Sequence, residues 1–115
     1  MQQEIAAFND LDGDGNPGGG TVSAPGLIVQ WQNGPLGRGD DRREPNGCFV
    51  ETVIAAALQR IRFYQGSRFS CRENSLAVTK LEEALHWLQA RTARREREGV
   101  EGLNVEDARS ATPGR

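Results

Sequence analysis

Residues 70–99 read SCRENSLAVTKLEEALHWLQARTARREREG, and their reading decides the fold. Ser70 and Glu73 stand in the spacing of a capping box, in which the hydroxyl takes the N–H at Glu73 and the carboxylate reaches back. Gly99 is suited to the left-handed residue that ends a helix, with Val100 beyond it as the apolar follow-on. Between them Val78, Leu81, Leu85 and Leu88 recur at alternating spacings of three and four, one apolar stripe on one face. No proline interrupts the run, which at about 1.5 Å per residue makes a rod of ~42 Å.

Past Leu88 the stripe gives way to Thr92 and Arg95, so the last two turns have no simple core face. On a neighbouring face Lys80, Glu83, Trp87, Arg91 and Arg94 line up at helical spacing. Two readings stand for that face. An indole beside two guanidinium groups suits a nucleobase with its phosphate. The plainer reading, which the isolated sequence favours, is that Trp87 packs on a neighbouring helix while the arginines pair with Glu83 and Glu98.

Working outward, residues 46–65 carry a second stripe, Val50, Val53, Ile54, Ala57, Leu58, Ile61 and Tyr64, with Asn46 as a candidate cap and Gly66 as the stop. The link Ser67-Arg68-Phe69 is so short that the two helices are expected to be antiparallel. Residues 26–32, GLIVQWQ, alternate as a strand between Pro25 and Asn33-Gly34-Pro35. The return segment LGRGDDRREP is too polar to pair with it, which leaves pairing from another chain. Residues 1–25 read as a flexible, acidic, glycine-rich leader in which Ile5 to Phe8 form at most one docked turn. DLDGDGN at 10–16 imitates the first half of a calcium loop. Pro17 and Thr21 then occupy positions that need an apolar residue and a bidentate glutamate, so the stretch reads as a linker. Residues 104–115 read as a disordered tail.

The fold class is therefore α+β: a short N-terminal strand segment and then an antiparallel two-helix hairpin, the two together spanning 26–103. One hairpin with one strand buries too little apolar surface to stand alone, so a homo-oligomer is expected.

The chain has 115 residues, 26% charged and 37% hydrophobic, with formal net charge −2. Residues 1–45 hold three arginines against seven acids, and residues 46–99 hold eight arginines and one lysine against six glutamates. A basic folded portion with acidic flanks favours a compact anion over duplex DNA, whose affinity rests on many phosphate contacts. Nearly all of the basic residues are arginine, the bidentate phosphate donor. No stretch reads as a membrane span or a signal peptide. Cys48 and Cys71 fall at opposite ends of a hairpin and cannot bridge within it; with His86 they do not make a zinc site. A reduced, cytoplasmic protein is expected. His86, with Glu82 four residues before it, has no nucleophile nearby in sequence, and Cys71 reads as a small buried residue, so no catalytic set emerges.

IVQWQNGP, the helix end RFYQG and FSCRENSLAVTKLEEALHWLQARTARREREGVEG together resemble the small phage signal-sequestering "sponge" proteins with an anti-defence helical hairpin, inhibitors of the Thoeris and CBASS immune systems. The strand-like QNGP segment is closer to the Thoeris branch. The resemblance implies a non-enzymatic binder, commonly a hexamer, that traps glycocyclic ADP-ribose or cyclic di- or trinucleotides between protomers in the infected bacterial host, with no cofactor and no metal. The candidate polar contacts are Arg72, Asn74, Lys80, Arg91, Thr92 and Arg95, and the candidate base platforms Trp31, Phe69 and Trp87. The alternative is a small helical regulator whose arginine-rich helix end binds nucleic acid or a host protein; the interleaved Glu96 and Glu98 make nucleic acid the weaker expectation.

Overall fold

The computed structural model describes residues 1–107. Three strands, β1 (Ala6–Leu11), β2 (Pro17–Ala24) and β3 (Leu27–Gln30), form an antiparallel sheet in the order β1-β2-β3. Two helices follow, α1 (Val50–Gln65) and α2 (Arg72–Arg97). The α+β class with an antiparallel helical hairpin is as read from the sequence.

The N-terminal region departs from that reading. Residues 6–24 are a β-hairpin, and β2 supplies to β3 the partner that was expected from another chain. The acidic stretch is the hairpin's turn. Asp12 Oδ1 accepts the N–H groups of Asp14 (2.9 Å) and Asn16 (3.0 Å), and Gly15 takes φ +82°. These backbone bonds hold the Asp12 carboxyl below its ordinary pKa. Glycine is needed at position 20 because a Cβ there would collide with the Phe8 carbonyl across the ladder. Ala7, Val22 and Val29 share one face of the sheet, whereas Phe8 and Ile28 on the other are exposed.

Both helix starts are displaced. Ser70 does not cap α2. Cys71 does, its Sγ accepting the Asn74 N–H at 3.4 Å. The connecting residues are committed elsewhere: the Ser67 hydroxyl donates to the Tyr64 carbonyl at 2.5 Å and accepts from the Phe69 N–H. Asn46 does not cap α1, which starts after Phe49. Its amide instead bonds Asn33 in both directions (2.8 and 2.9 Å). The far end of α2 follows the sequence reading. Gly99 (φ +73°) and Val100 close it with N–H bonds to the carbonyls of Glu96 (3.1 Å) and Arg95 (3.0 Å), a Schellman motif.

Sheet and hairpin are joined by residues 31–49. Cys48 N–H donates to Gln30 O (2.7 Å) and Gln32 N–H to Cys48 O (3.0 Å), a short parallel rung beside β3. The charged 36–43 loop is fastened to the chain beyond α2. Gly37 N–H donates to Gly102 O (2.7 Å), and Arg42 meets both oxygens of Glu101 (3.0 and 2.8 Å). Residues 100–107 thus turn back along α2. Residues 108–115, the rest of the tail read as disordered, lie outside the described residues.

The most enclosed side chains are Leu58 (4% exposed), Val29 (6%) and Arg95 (6%). Val78, Leu81, Leu85 and Leu88 are half-buried. So little enclosed apolar material is what the sequence led one to expect.

Candidate functional site

Of the four arginines in the last turns of α2, Arg91, Arg94 and Arg95 stand at helical spacings of three and four that bring them to one side of the rod. The chain reversal at Gly99 returns the segment after the helix across that side, and the Asp107 carboxylate meets all three. Oδ1 accepts from Arg95 Nη1 at 2.7 Å and lies 3.2 Å from Arg94 Nη2; Oδ2 accepts from Arg91 Nε at 3.2 Å. The hydrogen bond from Arg95, reinforced by the charges of Arg91 and Arg94, holds the Asp107 carboxyl below its ordinary pKa.

Arg95 is buried, and its charge is tolerable there because its donors are used. Beyond Asp107 it donates to the carbonyls of Val105 (2.9 Å), Leu103 (3.0 Å) and Val100 (3.1 Å). The guanidinium is thereby fixed in orientation. Arg91 is half-exposed.

Arg91 and Arg95 line a cleft of about 470 Å³ whose other walls are Asn16 of the β1–β2 turn with Pro17 and Gly18 at the start of β2, the 32–35 turn and residues 102–106. Its volume suits a small molecule. A second cleft, of about 500 Å³, lies between the sheet and the start of α1 and is lined by Trp31, Cys48 and Phe49; a third, of about 370 Å³, has Phe8, Trp31 and Asn46 on its walls.

The nine candidate residues fall in four places. Arg91, Thr92 and Arg95 share the C-terminal end of α2, where the Thr92 hydroxyl donates back to Leu88 O at 3.2 Å. Trp31 closes the sheet end and borders the two clefts there. Lys80 and Trp87 are exposed midway along α2, Lys80 beside Glu83 (3.8 Å) and Trp87 edge-on to His86. Phe69, Arg72 and Asn74 sit at the hairpin's tip, with the Arg68 guanidinium 4.8 Å above the Phe69 ring. Arg72 and Arg95 are 23 residues apart on one helix (Arg72–Arg97), hence about 35 Å at about 1.5 Å per residue. One chain does not unite tip and base.

Sequence reasoning placed Arg94 beside Arg91 on one helix face without naming it among the candidate contacts, and it missed Asp107 as the counter-ion of the cluster. The helical spacing contained the first signal. The second depends on the path of the chain after Gly99. Both thiols are free, Cys48 half-buried and Cys71 exposed. Among the described residues no three His, Cys, Asp or Glu side chains are grouped to hold a metal ion, and no helix is long and apolar enough to cross a membrane.

The chain is thus a small sheet leading into an antiparallel helical hairpin with an arginine cluster at its base. The chain belongs to the Acb2/Tad1 family: its hairpin domain matches residues 26–93. The chain is 49% identical over 76 residues to "Thoeris anti-defense 1" of Bacillus phage SBSphiJ7, an alignment covering 66% of this chain and 51% of that protein. The chain spans about half the length of that curated relative.

Proposed function

We propose that this protein is a phage immune-evasion factor that binds cyclic nucleotide signals, namely glycocyclic ADP-ribose or cyclic di- and trinucleotides, and sequesters them uncleaved in the cytoplasm of the infected host. The observation that carries the reading is the gathering of Arg91, Arg94 and Arg95 around one carboxylate beside the 470 Å³ cleft. Three guanidinium groups that converge on an anion present the donor set that a phosphate requires. Membership of the Acb2/Tad1 family and the anti-defence name of the phage relative support it.

The pocket is proposed to be completed between protomers of a homo-oligomer, a hexamer. That assembly would bring the tip residues Phe69, Arg72 and Asn74 of one chain to the base of another. The exposed Phe8, Ile28, Phe63, Phe69 and Trp87 support an assembly, being large apolar side chains that packing between protomers would cover.

Calorimetry with a panel of cyclic nucleotides, run beside gel shifts with duplex and single-stranded DNA, tests the reading. The expected result is tight binding of at least one cyclic nucleotide, its recovery intact after heating, and no DNA shift. Hydrolysed ligand, or DNA binding with no cyclic nucleotide bound, overturns it. Light scattering that finds a stable folded monomer at micromolar concentration overturns the assembly.

A further inference from the structure

The arginine cluster at the base of the hairpin, two of whose members line the cleft, already holds an anion of the chain's own making. We propose that Asp107 is a built-in competitor that sets the charge a ligand must bring: a phosphate-bearing ligand enters by displacing it from the arginine cluster, and a simple carboxylate does not. This rests on the reading of the cleft as an anion site and concerns its selectivity.

The geometry supports it at three points. First, among the described residues Asp107 is held by its carboxylate, which lies at 2.7–3.2 Å from the three guanidinium groups and is itself part-exposed. Second, the cluster outlasts its departure. Arg95 remains oriented by the carbonyls of Val100, Leu103 and Val105, so the donors stay aimed at the vacated position. Third, the charge is unbalanced. Three guanidinium groups meet the single Asp107 carboxylate, and even with Glu106 counted from the wall of the adjoining cleft, removal of Asp107 leaves two positive charges in surplus.

Tethering explains the threshold. Asp107 lies twelve residues from Arg95 on a segment pinned at Gly102 and Val105, so its carboxylate competes at a local concentration in the millimolar range or above. A free monocarboxylate makes the same two-oxygen contacts and loses to the tethered one. A phosphate or pyrophosphate offers more acceptor oxygens and more charge, and charge-assisted bonds to it are the stronger ones.

The test uses the full chain, with pyrophosphate and acetate as probes and the cyclic nucleotide panel in parallel. Asp107→Asn is expected to bind pyrophosphate about tenfold more tightly than the unmodified chain and to acquire measurable acetate binding. Arg91→Ala added to Asp107→Asn should cancel the gain. Asp107→Ala should repeat the single-variant result, with the fold of each variant checked by circular dichroism. Equal pyrophosphate affinities with and without Asp107, or a gain that survives Arg91→Ala, overturn the proposal. If cyclic nucleotides bind the unmodified chain and Asp107→Asn equally, the competitor falls and the sequestration reading stands. If none binds either form while the pyrophosphate gain is seen, the sequestration reading falls and the competitor stands.

Discussion

The two ends of the helical hairpin use arginine in opposite ways. At the tip, Arg60 lies 4.8 Å from the Phe63 ring and 4.9 Å from the Tyr64 ring, and Arg68 lies over Phe69, all on exposed surface. At the base, Arg95 is buried and its two terminal nitrogens are engaged by three carbonyls and a carboxylate. Water already solvates the tip guanidinium groups, and the aromatic faces add little. At the base the surrounding backbone has given up water to meet Arg95 and depends on it in return. The tip is a surface available for contacts; the base is a piece of internal architecture that also presents a charge.

Arg95→Ala breaks the comparison most severely. It leaves three turned-in carbonyls without a donor and is expected to cost about 2–4 kcal/mol of stability, an interaction of the class of hydrogen bonds to charged groups. Urea unfolding measures it. A loss under 1 kcal/mol would mean that the base is as solvated as the tip. Gly102→Ala should cost less, about 1–3 kcal/mol, because it forces a side chain to φ +82° and toward the Gly37 carbonyl and the Arg42 guanidinium. Proteolysis of the 36–43 loop should rise with it, and an unchanged cleavage rate would show that the Gly37–Gly102 contact does not restrain the loop. Smallest is Arg68→Ala at the tip, expected within about 0.5–1 kcal/mol of neutral in the same unfolding assay. A larger loss, appearing only at concentrations where oligomers form, would place the tip in an interface.

The contrast was only half legible in the sequence. The helices were, because Val78, Leu81, Leu85 and Leu88 write the period directly and Gly99 marks the stop. Their first residues were not, since Ser67 and Gln65 take up the groups of the turn and leave the cap to Cys71, a choice that local propensity does not contain. The N-terminal hairpin was hidden by its composition. Asn9, Asp10 and Gly18 to Gly20 are poor strand formers, and they pair because Gly20 admits the Phe8 carbonyl and the turn supplies its own Asp12 bonds. At the candidate site, Arg91 and Arg95 could be read from helical spacing. Asp107 could not, because its position depends on two left-handed glycines, Gly99 and Gly102, that reverse the chain. The family match ends at residue 93, so it does not reach this carboxylate.

At the turn between the helices, the Gln65 side chain accepts from the Cys71 N–H and donates to the Cys71 carbonyl, both at 3.0 Å. An amide side chain here stands in for a strand neighbour and staples a loop six residues long. In kinetic terms this closure is local and fast, whereas the Arg42–Glu101 contact at the base joins residues 59 apart in the chain and must wait for a far larger loop to close. Nascent chains should therefore zip from the tip toward the base, so that the 36–43 loop finds Glu101 only in the final step.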